Sequence, residues 1–176
     1  MKFKSLLVTA LTLAMSAGSA TAMDKITEFR IGVLGGENAS DRLRSNECVR
    51  EKVEKLLGVK TKLFAPADYN GVIEGLLGGN LDMAWLGASG YAKVYLTNPD
   101  AVEPVLTKIN ADGSFGYYSI GFARKDKKIK DLAGMEGKVF GFGDPNSTSG
   151  YLIPSIEIPG AGYDMDPGKY FKDVVF

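Results

Sequence analysis

The chain has 176 residues, with 21 basic and 21 acidic side chains, one cysteine and no histidine. Without histidine, imidazole acid–base catalysis, Ser-His triads and the usual histidine-type metal sites are excluded within this chain, and a single cysteine forms no internal disulfide. The balanced charge carries no signature of nucleic-acid binding, and the length suits one domain or two small lobes at about 100–200 residues per domain.

Residues 1–22 carry Lys2 and Lys4, an apolar core from Leu6 to Met15, and small residues ending Ala20-Thr21-Ala22. This is the pattern of a secretory signal, too short in its apolar part to span a bilayer. Cys48 is not beside the cleavage point, so no lipid anchor is expected, and the mature chain is read as exported without direct membrane insertion. Residues 28–34 alternate Phe29, Ile31 and Val33 on one face, which predicts a strand ending at Gly35-Gly36. Val49, Val53, Leu56 and Leu57 then recur at helical spacing, with Gly58 at the stop, and Cys48 is expected to be buried within that helix. Residues 59–64 return as a strand. Strand, helix, strand implies a parallel pair with a right-handed crossover, hence an α/β fold.

In such a sheet the ligand crevice lies beyond the carboxyl ends of the strands, where residues 65–69 leave one of them. Tyr69 either faces that crevice or packs half-buried on its own sheet. Asp68 is placed to cap a helix whose apolar stripe is Val72, Ile73, Leu76 and Leu77. Residues 81–86 predict an apolar strand with Trp85 in the core, and the small residues 87–90 lead into a helix ending near Thr97, whose first N–H groups can face the same crevice. Further strands are expected at 102–107 and 117–123, separated by a tight Asp112-Gly113 turn. Residues 124–130 read as a charged, solvated loop.

Residues 139–150 read V-F-G-F-G-D-P-N-S-T-S-G. A short strand stops at Asp144-Pro145, and Asn146, Ser147, Thr148 and Ser149 precede a mostly apolar run, 151–158, that predicts a helix. Strand, turn and helix start bring unpaired backbone N–H groups and the positive end of a helix dipole to three hydroxyls, all of which favour an oxyanion. The plainer alternative is that the hydroxyls only cap the helix. No lysine or arginine lies between Lys138 and Lys169, so an anion here would be held by dipoles and neutral donors. The lysine of a phosphate-binding P-loop is also missing, which argues against nucleotide hydrolysis. Pro159, Gly160 and Gly162 cut the helix short, and 174–176 form a last strand.

The string from Gly143 to Gly150, continued by Tyr151-Leu152-Ile153-Pro154, resembles the signature of the phosphonate-binding subunits of bacterial ATP-binding cassette importers. So do Ala65-Pro66-Ala67-Asp68-Tyr69, the segment Leu81 to Gly87, and Ala111 to Ser119, together covering the chain from about Phe29 onward. The resemblance implies a two-lobed periplasmic receptor of type II-like architecture: residues 1–22 signal peptide, 23–118 a nearly complete first lobe, 119–176 a hinge strand and the opening part of a second lobe. It implies that the chain is the N-terminal half of such a receptor. It further implies a phosphonate or related phosphorus oxyanion bound by Tyr69, Tyr117, Ser147, Thr148 and Ser149, delivery to a membrane permease, no cofactor and no catalysis. Two alternatives stand beside it. One is a secreted phosphoester hydrolase with Ser147 or Thr148 as nucleophile and Asp144 as metal ligand or base; the other is a sensor subunit of the same fold.

Overall fold

The computed structural model describes residues 26–35 and 38–176, so the expected signal segment lies outside the described residues. The chain runs β1 (Glu28–Gly32), α1 (Ala39–Leu57), β2 (Lys60–Phe64), α2 (Tyr69–Leu77), β3 (Met83–Ala84), α3 (Ala88–Thr97), β4 (Val139–Gly141), α4 (Ile153–Gly160) and β5 (Asp173–Val175). It forms two parallel sheets, one of order β2-β1-β3 and one pairing β4 with β5.

The first sheet is the α/β unit that the sequence predicts. Alternation in β1 turns Ile31 inward to 4% exposure, and β1 pairs with β2 from Glu28↔Lys60 to Gly32↔Phe64. Arg30 fastens the other edge, its guanidinium forking onto both carboxylate oxygens of Asp82 at 2.7 and 2.8 Å while its own N–H donates to Oδ2 at 2.7 Å. These donors hold Asp82 below the ordinary carboxylate range. The stripe of α2 behaves as read: Val72, Ile73 and Leu76 are buried, and Val72 and Leu76 meet Leu81 in the core of this half.

Helix α1 departs from its pattern. Its stop is as expected, with Gly58 closing the helix at φ +66°, and Asn38 caps its start by accepting from Asp41 N–H at 2.9 Å. Its apolar stripe, however, is open: Val49, Leu56 and Leu57 are 43%, 83% and 48% exposed. The rotation of α1 is set by polar anchors instead. Glu54 accepts from Thr61 N–H of β2 at 2.9 Å, and the buried Arg42 donates to the carbonyls of Val33 and Pro66 at 3.4 and 3.1 Å. Cys48, expected inside, is exposed on the same helix.

Three strand expectations fail for one reason, since a strand exists only where a ladder partner lies beside it. The segment 81–86 shortens to Met83–Ala84, which pair in register with Ile31 and Gly32 of β1. Segments 102–107 and 117–123 have no partner among the described residues and stay irregular. Trp85, expected in the core, is 49% exposed and lines a groove with Val105, Leu106 and Phe115.

The second unit is held by aromatic rings. Phe171 is fully buried and its ring lies 5.1 Å from that of Phe140, which in turn sits 5.1 Å from Phe142. Phe142 meets Tyr151 edge-on at 5.1 Å. These contacts fix the strand end and the helix start on either side of residues 143–150. No helix among the described residues is long and apolar enough to cross a membrane.

Candidate functional site

The loop 143–150 turns back on itself within its own length. Gly143 N–H donates to the Gly150 carbonyl at 2.7 Å, and a Cβ built on Gly143 would come within 3.1 Å of the Gly150 Cα. A side chain at either place would push these two stretches of backbone apart. Ser147, 9% exposed, accepts from Gly150 N–H at 3.0 Å, and the chain then opens into a wide π-helical turn, Thr148–Leu152, that runs into α4. Such turns recur at functional sites.

The loop is seated against the starts of two helices from the first sheet. At α2, Asp68 caps its own helix by accepting from Gly71 N–H at 2.9 Å, while Tyr69 N–H donates to Asp144 Oδ2 at 3.0 Å. The other oxygen of Asp144 accepts from Asn146 N–H at 2.7 Å. Two carboxylates thus meet the positive end of α2, where the dipole favours negative charge. At α3 the cap residue is Gly87, which has no side chain to offer. Thr148 supplies the missing acceptor, its Oγ1 taking Ser89 N–H at 2.8 Å.

Tyr117 completes this corner. A Cβ on Gly87 would stand 2.8 Å from Thr148 Oγ1 and 3.4 Å from the Tyr117 hydroxyl, so both hydroxyls flank the same glycine. Each serine or threonine oxygen that accepts a backbone N–H keeps its own O–H free to donate. The corner therefore offers uncharged donors around a helix start, which suits an oxyanion.

Of the five residues singled out from the sequence, Thr148 and Tyr117 come together at α3. Tyr69 is half-buried, its ring beside Gly35, and is tied to the loop through its backbone. Ser147 caps the turn. Ser149 contributes its carbonyl, which accepts from the Ser119 hydroxyl at 2.6 Å. The bonds to Ser147 and Thr148 come from backbone N–H groups, and among the described residues no group of three or more acidic or cysteine side chains is placed to hold a metal.

One component escaped the sequence. Lys93 on α3 donates to Asn70 Oδ1 at 2.8 Å and to Asn146 Oδ1 at 3.0 Å. A cation therefore stands beside a loop whose own neighbours in sequence include none; linear spacing carries no sign of it. Asp144 is the second such case, because its partner Tyr69 lies 75 residues earlier.

The chain is 35% identical over 139 residues to the phosphate-import protein PhnD of Mycolicibacterium smegmatis, covering 78% of this chain and 43% of that protein. It is 33% identical over 153 residues to the phosphonates-binding periplasmic protein of Escherichia coli, covering 84% of this chain and 44% of that one. Among solved structures, the binding-protein component of an ABC phosphonate transporter from Pseudomonas aeruginosa superposes with a TM-score of 0.70 at 29% identity, over 84% of this chain and 49% of that one. PhnD1 of Prochlorococcus marinus, solved in complex with methylphosphonate, shares the fold at a TM-score of 0.63 and 21% identity, over 85% of this chain and 56% of that one. The chain spans about half the length of the curated relatives it matches. Residues 31–176 match the family model described as "ABC transporter, phosphonate, periplasmic substrate-binding protein", and the chain belongs to that family.

Proposed function

We propose that this chain carries the first part of a periplasmic receptor that captures a phosphonate or a related phosphorus oxyanion and delivers it to the permease of an ATP-binding cassette importer. Residues 23–118 form the first lobe in this reading, and 119–176 form the hinge and the opening of the second. The observation that carries it is the corner at α3, where the Thr148 and Tyr117 hydroxyls flank Gly87 at a helix start. Tyr69, Ser147 and Ser149 complete the ligand set, and the two relatives above whose names mention phosphate import and phosphonate binding support the ligand class.

Three or four charge-assisted hydrogen bonds at about 1.5–3 kcal/mol each supply roughly 5–12 kcal/mol before the entropy of association is subtracted, against the ~8 kcal/mol of micromolar binding. Closure of the lobes expels water and strengthens each bond. Calorimetric titration of the full-length protein with methylphosphonate, 2-aminoethylphosphonate, phosphite and phosphate tests the reading. Heat from at least one of them is expected, and silence from all four removes it. Permease genes beside this one separate an importer subunit from a sensor.

A further inference from the structure

We propose that Lys93 is a positioning residue for the binding loop, locking residues 146–149 onto the first lobe once a ligand is in place. This inference rests on the receptor reading above. Lys93 Nζ is held between two amide oxygens, Asn70 Oδ1 of α2 at 2.8 Å and Asn146 Oδ1 of the loop at 3.0 Å. Asn146 in turn donates its backbone N–H to Asp144 Oδ1 at 2.7 Å, and Asp144 Oδ2 accepts from Tyr69 N–H at 3.0 Å. Since Tyr69 and Asn70 are neighbours on α2, the bonds close a ring: α2 to Lys93, to Asn146, to Asp144, and back to α2. Three of its residues, Tyr69, Asn70 and Lys93, lie in the first lobe, and the other two, Asp144 and Asn146, in the loop that carries Ser147 to Ser149.

The chemistry suits a latch. An ammonium donating to amide oxygens is charge-assisted, yet neither acceptor carries a charge that would have to be desolvated when the lobes separate. Lys93 is exposed, so the bond to Asn146 can break and reform without disturbing the core. Closing such a latch raises the fraction of receptor in the binding-competent form, and apparent affinity scales with that fraction. The gain falls on ligand release rather than on encounter.

Lys93→Met and Lys93→Arg, made in the full-length protein, test this with methylphosphonate as the probe, using calorimetry for affinity and stopped-flow for the two rates. Lys93→Met is expected to release ligand about tenfold faster with an unchanged association rate, the factor that ~1.4 kcal/mol carries. Lys93→Arg, which keeps a donor, is expected to recover most of the loss. Combining Lys93→Met with Asn146→Ala is expected to add less than the sum of the single effects on release, as partners in one contact do. Release rates equal to the parent's in Lys93→Met overturn the proposal. So does a loss confined to the association rate and abolished by salt, which marks Lys93 as a steering charge instead. If the parent itself gives no heat with any of the four probe ligands, the receptor reading falls and takes the latch with it; a parent that binds alongside indifferent variants sinks the latch alone.

Discussion

The backbone N–H of Tyr69 donates to Asp144 Oδ2 at 3.0 Å, tying the first turn of α2 to a loop 75 residues further along. The same carboxylate accepts Asn146 N–H at 2.7 Å, so one side chain orders its own loop and docks it on the other sheet's helix. Asp144→Ala is expected to lower stability in urea by about 1–3 kcal/mol, the range for losing hydrogen bonds to a charged acceptor. Asp144→Asn keeps one acceptor oxygen, so it is expected to cost less. Equal stability in all three proteins shows that the contact carries no weight.

Ser147 and Thr148 each accept a backbone N–H at a helix start and each stand in the proposed ligand set, so substitution of either is expected to register in both stability and binding. Ser147 oxygen caps the turn by accepting Gly150 N–H, so Ser147→Ala should cost about 1 kcal/mol of folding stability. Thr148 stands at the α3 corner with Tyr117. Thr148→Ala should weaken methylphosphonate binding roughly 10- to 100-fold, as the loss of one charge-assisted bond implies, whereas Thr148→Ser retains it. Calorimetry on both variants decides; a Thr148→Ala protein that binds like its parent removes this hydroxyl from the site.

Gly87 makes a sharper steric test. Its φ of −73° is open to any residue, so alanine there carries no backbone strain, but its Cβ would lie 2.8 Å from Thr148 Oγ1. Gly87→Ala is expected to hold its thermal midpoint within a few degrees while losing about tenfold or more in affinity. A large drop in thermal stability with intact binding would contradict the placement of the corner.

The Arg30–Asp82 fork gives a pH signature. Because the Arg30 guanidinium holds Asp82 below the ordinary carboxylate range of about 3.9 in the folded chain, the stabilisation is fully present above that range and is lost as pH falls through the lower, folded value. Stability is therefore expected to decline below about pH 4, and Asp82→Asn should flatten that decline. Denaturation curves at pH 7 and pH 3 for both proteins provide the measurement, and parallel losses would assign acid sensitivity elsewhere.

Local chemistry was legible in the linear chain because its causes are local. The caps at Asp68 and Ser147, the left-handed stop at Gly58, the buried stripe of α2 and the hydroxyl-rich turn before α4 each depend on residues within a few positions of one another. What folding alone decided were the pairings across long separations. Tyr69 with Asp144, Ser89 with Thr148 and Lys93 with Asn146 are 75, 59 and 53 residues apart, and no periodicity or spacing encodes which loop meets which helix start. The same physics explains the misread segments. Residues 102–107 and 117–123 have the composition of strands but no ladder partner among the described residues, and α1 takes its rotation from Arg42 and Glu54 rather than from its apolar stripe. Sequence determined what each segment can form; the tertiary arrangement decided which partner satisfies its backbone and charges, because a hydrogen bond is formed only where a second group is brought within reach.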